Sequence, residues 1–233
     1  MKRSEINAAI REAEDFFAAQ NFHLPPFARW SPEDWRGEAA ATPATRGLGW
    51  DVTDFGLGRF SERGILLFTL RNGTPDALSA GHGMLYCEKA IMAVPGQHCP
   101  MHSHIVKTED IINRGGGRLV LTLRNAGPDG RMADTPVTVA CDGVERTVEA
   151  GGTLVLEPGE SITLEPGCVH GFTAEGGKVL VGEVSLVNDD RNDNIFYEEL
   201  GRFGRIEEDE APHRLLVQEY QPGEPATAAA ARG

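Results

Sequence analysis

Residues 96–117 read GQHCPMHSHIVKTEDIINRGGG. His102 and His104 occupy alternate positions, so on an extended strand both imidazoles leave the same face. Glu109 follows five residues later, and a glycine triplet (Gly115, Gly116, Gly117) closes the phrase. A turn between His104 and Glu109 brings the carboxylate back to that face. Imidazole nitrogens with a carboxylate oxygen form a borderline donor set, suited to a divalent transition metal rather than calcium or magnesium. An H-x-H pair alone occurs on many solvated strands. The glutamate, the flanking glycines and a distant fourth donor set this one apart.

The candidate fourth donor is His170, in EPGESITLEPGCVHGF (157–172), which reads as turn, short strand, turn and histidine. Together the two phrases resemble the paired motifs of the cupin superfamily. The first motif is Gly, five residues, H-x-H, four residues, Glu, six residues, Gly, and Gly96, His102, His104, Glu109 and Gly116 fall at those spacings. The second is looser. Gly159, Gly167 and His170 match, but Glu165 stands at the usual proline position and Ala174 at the usual asparagine. Neither departure removes a ligand. The resemblance implies an all-β chain: a single cupin-type β-barrel (a double-stranded β-helix or jelly roll) with an N-terminal α-helix and arm.

Composition agrees with this. The 28 glycines and 14 prolines in 233 residues suit many short strands and tight turns. A net charge of −13 argues against nucleic acid or an anionic membrane as partner. No apolar run approaches the roughly 20 residues needed to span a bilayer, and the N-terminus lacks the apolar core of a signal peptide. Cys87, Cys99, Cys141 and Cys168 show no C-x-x-C spacing. Reduced thiols in a cytoplasmic protein are the expectation.

Residues 4–20 form an amphipathic pattern, with Ser4 as cap and Ile6, Ala9, Ile10, Ala13 and Phe17 near one face. Residues 1–50 thus read as a helix and an ordered arm carrying Phe27, Trp30 and Trp35, available to pack on a barrel wall or a partner subunit. Residues 51–221 read as the barrel with a C-terminal extension, and 222–233 as a disordered tail. Strand candidates are 64–70, 83–94, 117–124, 134–141, 152–158, 161–166 and 178–187. Asn72–Gly73, Pro128–Asp129–Gly130 and Asp142–Gly143 are turn signals between some of them.

Three charged residues stand where a barrel wall is normally apolar. Glu183 alternates with Val181 and Ser185, opposite Leu180, Val184 and Leu186. A buried, unpaired carboxylate is costly, so Glu183 lines a polar pocket or lies on a wet edge; its nearness in sequence to His170 favours the pocket. Lys89 either reaches a substrate oxygen or snorkels to the barrel mouth. Lys107, between His104 and Glu109, lies near the metal, where a lysine can stabilise an oxyanion or move a proton; the alternative is a solvated turn.

Longer phrases narrow the family. GWDVTDFG (49–56), LFTLRNG (67–73), KTEDIINRGGG (107–117), GEVSLVNDDRNDNIF (182–196) and RFGRIEEDE (202–210) are similar to the D-lyxose ketol-isomerase family. They span about two thirds of the chain. That family is a manganese-dependent cupin group interconverting D-lyxose with D-xylulose and D-mannose with D-fructose. The resemblance implies His102, His104, Glu109 and His170 as metal ligands, with Mn²⁺ bound and Co²⁺, Fe²⁺ or Zn²⁺ as alternatives. It also implies a monosaccharide substrate, a homodimer, and acid/base or substrate roles for Lys89, Lys107, Glu183, Asp190 and Glu208. Moving a proton between C1 and C2 through an enediolate needs a base near the carbon, and Glu183, its pKa raised by burial, is the candidate, with Lys107 on the oxygen side. A hydride shift between the same carbons is the other path. Competing readings are an Fe(II) cupin oxygenase, which calls for an apolar pocket, a non-catalytic sugar-binding cupin and a sugar epimerase. The charged Lys89, Glu183 and Asp190 weigh against the oxygenase.

Overall fold

The structure, a computed structural model, describes residues 1–190, 192–201 and 204–220. The expected disordered tail at 222–233 lies outside the described residues. Three helices, α1 (Arg3–Ala19), α2 (Ala41–Thr45) and α3 (Pro75–Ala80), accompany the strands. These are β1 (Gly49–Thr53), β2 (Ile65–Asn72), β3 (Tyr86–Ala93), β4 (His102–His104), β5 (Glu109–Ala126), β6 (Met132–Ala133), β7 (Val137–Cys141), β8 (Val144–Val148), β9 (Thr153–Leu156), β10 (Ser161–Leu164), β11 (Cys168–Leu186) and β12 (Asn194–Phe196). The all-β expectation is met. Neighbours run β1-β2-β3-β11-β5-β10-β7-β8, while β4 joins β11 to β12, and β6 and β9 pair with β5.

Two of the strand candidates, 117–124 and 178–187, are halves of much longer strands. The first part of β5 pairs with β10 and its later part with β9. The later half of β11 pairs with β3, and its His170 pairs with β4. Each long strand therefore passes from one layer of the barrel into the other. The bends fall at Gly115–Gly117 and Gly176–Gly177, where the β5–β11 register shifts. Gly116 has φ of +101°, and a Cβ there would lie 2.1 Å from the Lys178 carbonyl oxygen. Gly116→Ala is therefore expected to lower stability by about 2–4 kcal/mol, read as a drop in the urea midpoint. An unchanged midpoint would refute this account of the bend.

Between the layers, Leu119, Leu121, Leu123, Leu154, Leu156, Ile162 and Phe172 form the apolar interior. A second core lies outside, where Ile6, Ile10, Ala13 and Phe17 of α1 cover Leu66, Phe68, Met92 and Leu180. Each of those large side chains contributes about 1.5–3 kcal/mol by leaving water. The arm closes the same core: Phe27 stacks on Phe68 at 5.3 Å and Trp35 on Tyr220 at 3.8 Å. The helix covers this sheet rather than standing free.

Three local expectations change. Ser4 lies inside α1, and its N–H and hydroxyl both donate to Asp209, at 2.9 and 2.6 Å. The Ser4 N–H is thus capped by a carboxylate distant in sequence, which no local pattern reveals, while Glu5 takes the N–H of the N-cap Lys2 at 2.8 Å. Asn72–Gly73 makes no hairpin. It leads into α3, whose N-cap Thr74 accepts the Ala77 N–H and whose C-cap Gly81 is left-handed. Residues 49–53, a fully buried run, form β1 against β2. Asp142 and Gly143, at φ +49° and +80°, do make the two-residue hairpin between β7 and β8. All four cysteines are buried, and none is in a disulfide. Among the described residues no helix is long and apolar enough to cross a membrane.

Candidate active site

The four candidate ligands reach one point from three strands. His102 and His104 lie on β4, Glu109 opens β5, and His170 of β11 pairs in register with His102. One donor atom from each lies within 4.8 Å of all the others. The Nδ1 groups of His102 and His170 donate to the carbonyls of Pro100 and Cys168, at 2.8 and 3.1 Å. A carbonyl only accepts, so Nδ1 carries the hydrogen on both rings and each Nε2 presents a lone pair. Burial drives His102 well below the ordinary imidazole value, with His170 and His104 adding to it, and burial likewise lowers His104. His102 and His104 are therefore neutral imidazoles.

Glu109 Oε1 stands 2.9 Å from His170 Nε2 and 3.3 Å from His104 Nε2. Burial alone would raise its pKa. The Lys107 ammonium reverses that and holds Glu109 well below the usual carboxylate range. Lone pairs converging in a buried space repel one another unless a cation satisfies them. Three imidazole nitrogens and an anionic oxygen therefore fit a divalent transition metal.

Beside this set runs an ionic chain. The Lys107 ammonium donates to Glu109 Oε2 at 2.7 Å and to Glu183 Oε1 at 2.9 Å. Lys89 donates to the same Glu183 oxygen at 2.9 Å and to Asn188 Oδ1 at 2.7 Å. Glu183 and Lys89 are directly opposed on β11 and β3. Alternation does put Glu183 on the interior face, with Val181 and Ser185, while Val184 is exposed. Lys107 is only 3 % exposed, so it is no solvated turn lysine, and Lys89 turns inward rather than to the mouth. Two carboxylates and two ammonium groups cancel in charge, which makes their joint burial affordable.

One expectation is reversed. Burial pushes the Glu183 carboxyl up, as anticipated, but the ammonium groups of Lys107 and Lys89 outweigh it and leave Glu183 below its ordinary value. Glu183 is a stabilised carboxylate at neutral pH, not one poised near it. The same partners hold Lys107 protonated. Burial opposes its charge, and Glu109 and Glu183 raise its pKa beyond the ordinary lysine value.

Asp190 lines the same cavity, together with Asn188, Asn194, Phe55 and Phe196. Asn194 donates to Asp190 at 3.3 Å. Glu208 does not line it. Its carboxylate takes both Nε and Nη2 of Arg3, at 2.9 and 2.7 Å, and Arg3 also holds Glu219. Glu208 thus ties the start of α1 to the C-terminal segment, and its predicted contact with substrate is not seen within this chain. Asn188 and Asn194 were not singled out, because in VNDDRNDN every residue after the valine is polar and nothing local ranks them. Asn194 is placed by β12, which lies along β4, and Asn188 by its N–H donating to Asn72 Oδ1 at 2.9 Å.

An antiparallel barrel with three histidines and a glutamate converging inside it defines a cupin-type protein with a site able to hold a metal ion. Within that class the chain belongs to the D-lyxose isomerase family, whose model matches residues 1–220. A D-lyxose/D-mannose isomerase of Serratia proteamaculans is 48 % identical over 226 residues, covering 94 % of this chain and 98 % of the relative. The protein of the same name in Escherichia coli O157:H7 is 46 % identical, over 95 % of this chain and 99 % of its own. The fold is shared with a variant of the L-ribose isomerase of Acinetobacter sp. DL28 in complex with L-ribose. Its TM-score is 0.60 at 15 % identity, over 89 % of this chain and 98 % of that one.

Proposed function

We propose that this protein is a metal-dependent aldose–ketose isomerase that interconverts D-lyxose with D-xylulose and D-mannose with D-fructose. The observation that carries the reading is the unbroken chain Glu109–Lys107–Glu183–Lys89, which joins the candidate metal ligands to a buried carboxylate. Family membership and relatives named D-lyxose/D-mannose isomerase support the choice of sugars. D-lyxose and D-mannose share their configuration at C2, C3 and C4, so one site can present the same reacting carbons of both.

His102, His104, Glu109 and His170 hold the cation, Mn²⁺ in this proposal, with Co²⁺, Fe²⁺ and Zn²⁺ acceptable to the same ligands. A bound divalent cation supplies Lewis-acid stabilisation of the negative charge that develops on O1 and O2. Glu183 removes the proton from C2 of the aldose and returns it to C1, while the O2 hydroxyl proton passes to O1. Its depressed pKa keeps it in the basic form throughout the neutral range. Lys107, protonated and shared by Glu109 and Glu183, donates to a substrate oxygen and steadies the anionic charge of the enediolate. Lys89 orients Glu183 from the other side, and Asp190, Asn188 and Asn194 offer partners to the remaining hydroxyls. Such a wall suits a polyhydroxylated substrate better than the apolar pocket an oxygenase needs. Four buried cysteines outside any disulfide support a cytoplasmic setting, and a homodimer is the assembly in this proposal.

Chelation tests the metal requirement. Protein stripped with EDTA and dialysed is expected to lose at least about 10²-fold of its ketose formation from D-lyxose, and to regain it on addition of Mn²⁺. Full activity with less than a tenth of a metal equivalent bound would overturn the metal role.

A further inference from the structure

Asp193 is nearly buried, and its carboxylate faces three consecutive backbone N–H groups. Oδ1 accepts from Ile105 at 3.0 Å and from Val106 at 2.7 Å, and Oδ2 accepts from Lys107 at 3.1 Å. The Asp193 carbonyl takes the Ile105 N–H as well, at 3.2 Å. Three oriented N–H dipoles on one carboxylate offset its loss of water and define a single position for the turn that bears them.

That turn lacks the usual means of being held. Ile105 and Val106 are each 56 % exposed, so no apolar packing anchors it. It nevertheless joins His104 to Glu109 and carries Lys107, whose ammonium must reach Glu109 and Glu183 together at 2.7 and 2.9 Å. Displacing the Lys107 backbone moves the root of that side chain and so breaks at least one of the two contacts. Asp193 itself is tied to the polar segment above the cavity, its N–H donating to the Asp189 carbonyl at 3.0 Å.

We propose that Asp193 is a positioning residue, a carboxylate clamp on the 105–107 turn that places Lys107 between the metal ligand Glu109 and the base Glu183. The kinetic consequence rests on the isomerase reading above; the clamp itself does not. Asp193 is neither one of the four converging donors nor a residue of the cavity lining, and it acts through the backbone of Lys107.

Two variants test it. Asp193→Ala removes all three side-chain acceptors. Asp193→Asn keeps an oxygen for Ile105 and Val106 but turns an NH₂ group toward the Lys107 N–H. In the metal-free protein, amide hydrogen exchange at 105–107 is expected to accelerate at least about tenfold in Asp193→Ala, with amides in β5 and β11 unchanged. In the Mn²⁺-loaded protein, kcat on D-lyxose falls about 10- to 100-fold, KM moves less than about threefold and metal per chain stays at the wild-type level. Asp193→Asn falls between wild type and Asp193→Ala in both readouts, and it carries the test should Asp193→Ala fail to fold. Unchanged exchange at 105–107 overturns the clamp. So does a kcat that falls only in step with lost metal. A wild-type protein without isomerase activity would sink the isomerase reading instead, and exchange would still decide the clamp.

Discussion

Glu183→Gln is expected to lower kcat on D-lyxose by about 10³-fold while leaving the metal bound. Glutamine has the shape of the carboxylate and keeps an oxygen for Lys107 and Lys89, so the pocket keeps its form. What it loses is the capacity to take a proton from carbon. The metal is retained because Glu183 is not among the four converging donors. Steady-state kinetics with metal analysis on the same samples makes the comparison. A variant that loses activity with its metal speaks for a structural part, and one within a factor of three of wild type removes Glu183 as the base.

Lys107→Met is expected to be the most destabilising single change at the site. The ammonium is shared by Glu109 and Glu183, which are 2 % and 5 % exposed, and its loss leaves Glu109 without a lysine and Glu183 with Lys89 alone. Removing one partner from a buried ionic group typically costs about 3–5 kcal/mol. Urea unfolding of the metal-free protein at neutral pH reads this directly, and added Mn²⁺ recovers part of it by replacing the lost positive charge beside Glu109. The deficit also depends on pH. In the wild type both carboxyls have depressed pKa values, so their contribution is present above the unfolded carboxylate range and is lost as pH falls through the folded values. Without Lys107, burial and mutual repulsion are opposed only by Lys89 at Glu183, so the penalty grows with pH. The two unfolding free energies therefore converge on acidification. A deficit below about 1 kcal/mol at neutral pH would contradict the shared-counterion picture.

The convergence of the candidate ligands was legible because its signal is local. Alternation puts His102 and His104 on one face, and the fixed spacing to Glu109 requires only a turn. His170 needed the second motif, since nothing in its own neighbourhood says that it pairs with His102 across β4 and β11. Glu183 was legible by alternation alone. The sign of its pKa shift was not, because that depends on two lysines from β3 and the 105–107 turn, and on their outweighing burial. The long strands β5 and β11 read as shorter pieces because their bends are glycine-rich and interrupt the apolar pattern. The contacts of Glu208 and Ser4 were not legible for a shared reason: Arg3 and Asp209 join α1 to the 207–209 segment, and sequence periodicity carries no information about such contacts. Asp193 was hidden among like neighbours. Only the turn it grips distinguishes it from Asp189 or Asp190.

The most direct measurement is proton NMR of D-lyxose and D-mannose incubated in D₂O with the Mn²⁺-loaded protein. An isomerase working through Glu183 yields D-xylulose and D-fructose with deuterium entering at C1, as the carried proton exchanges with solvent. Ketose without any deuterium would replace proton transfer by a hydride shift. No ketose from either sugar, with the metal bound, would contradict the proposed function itself.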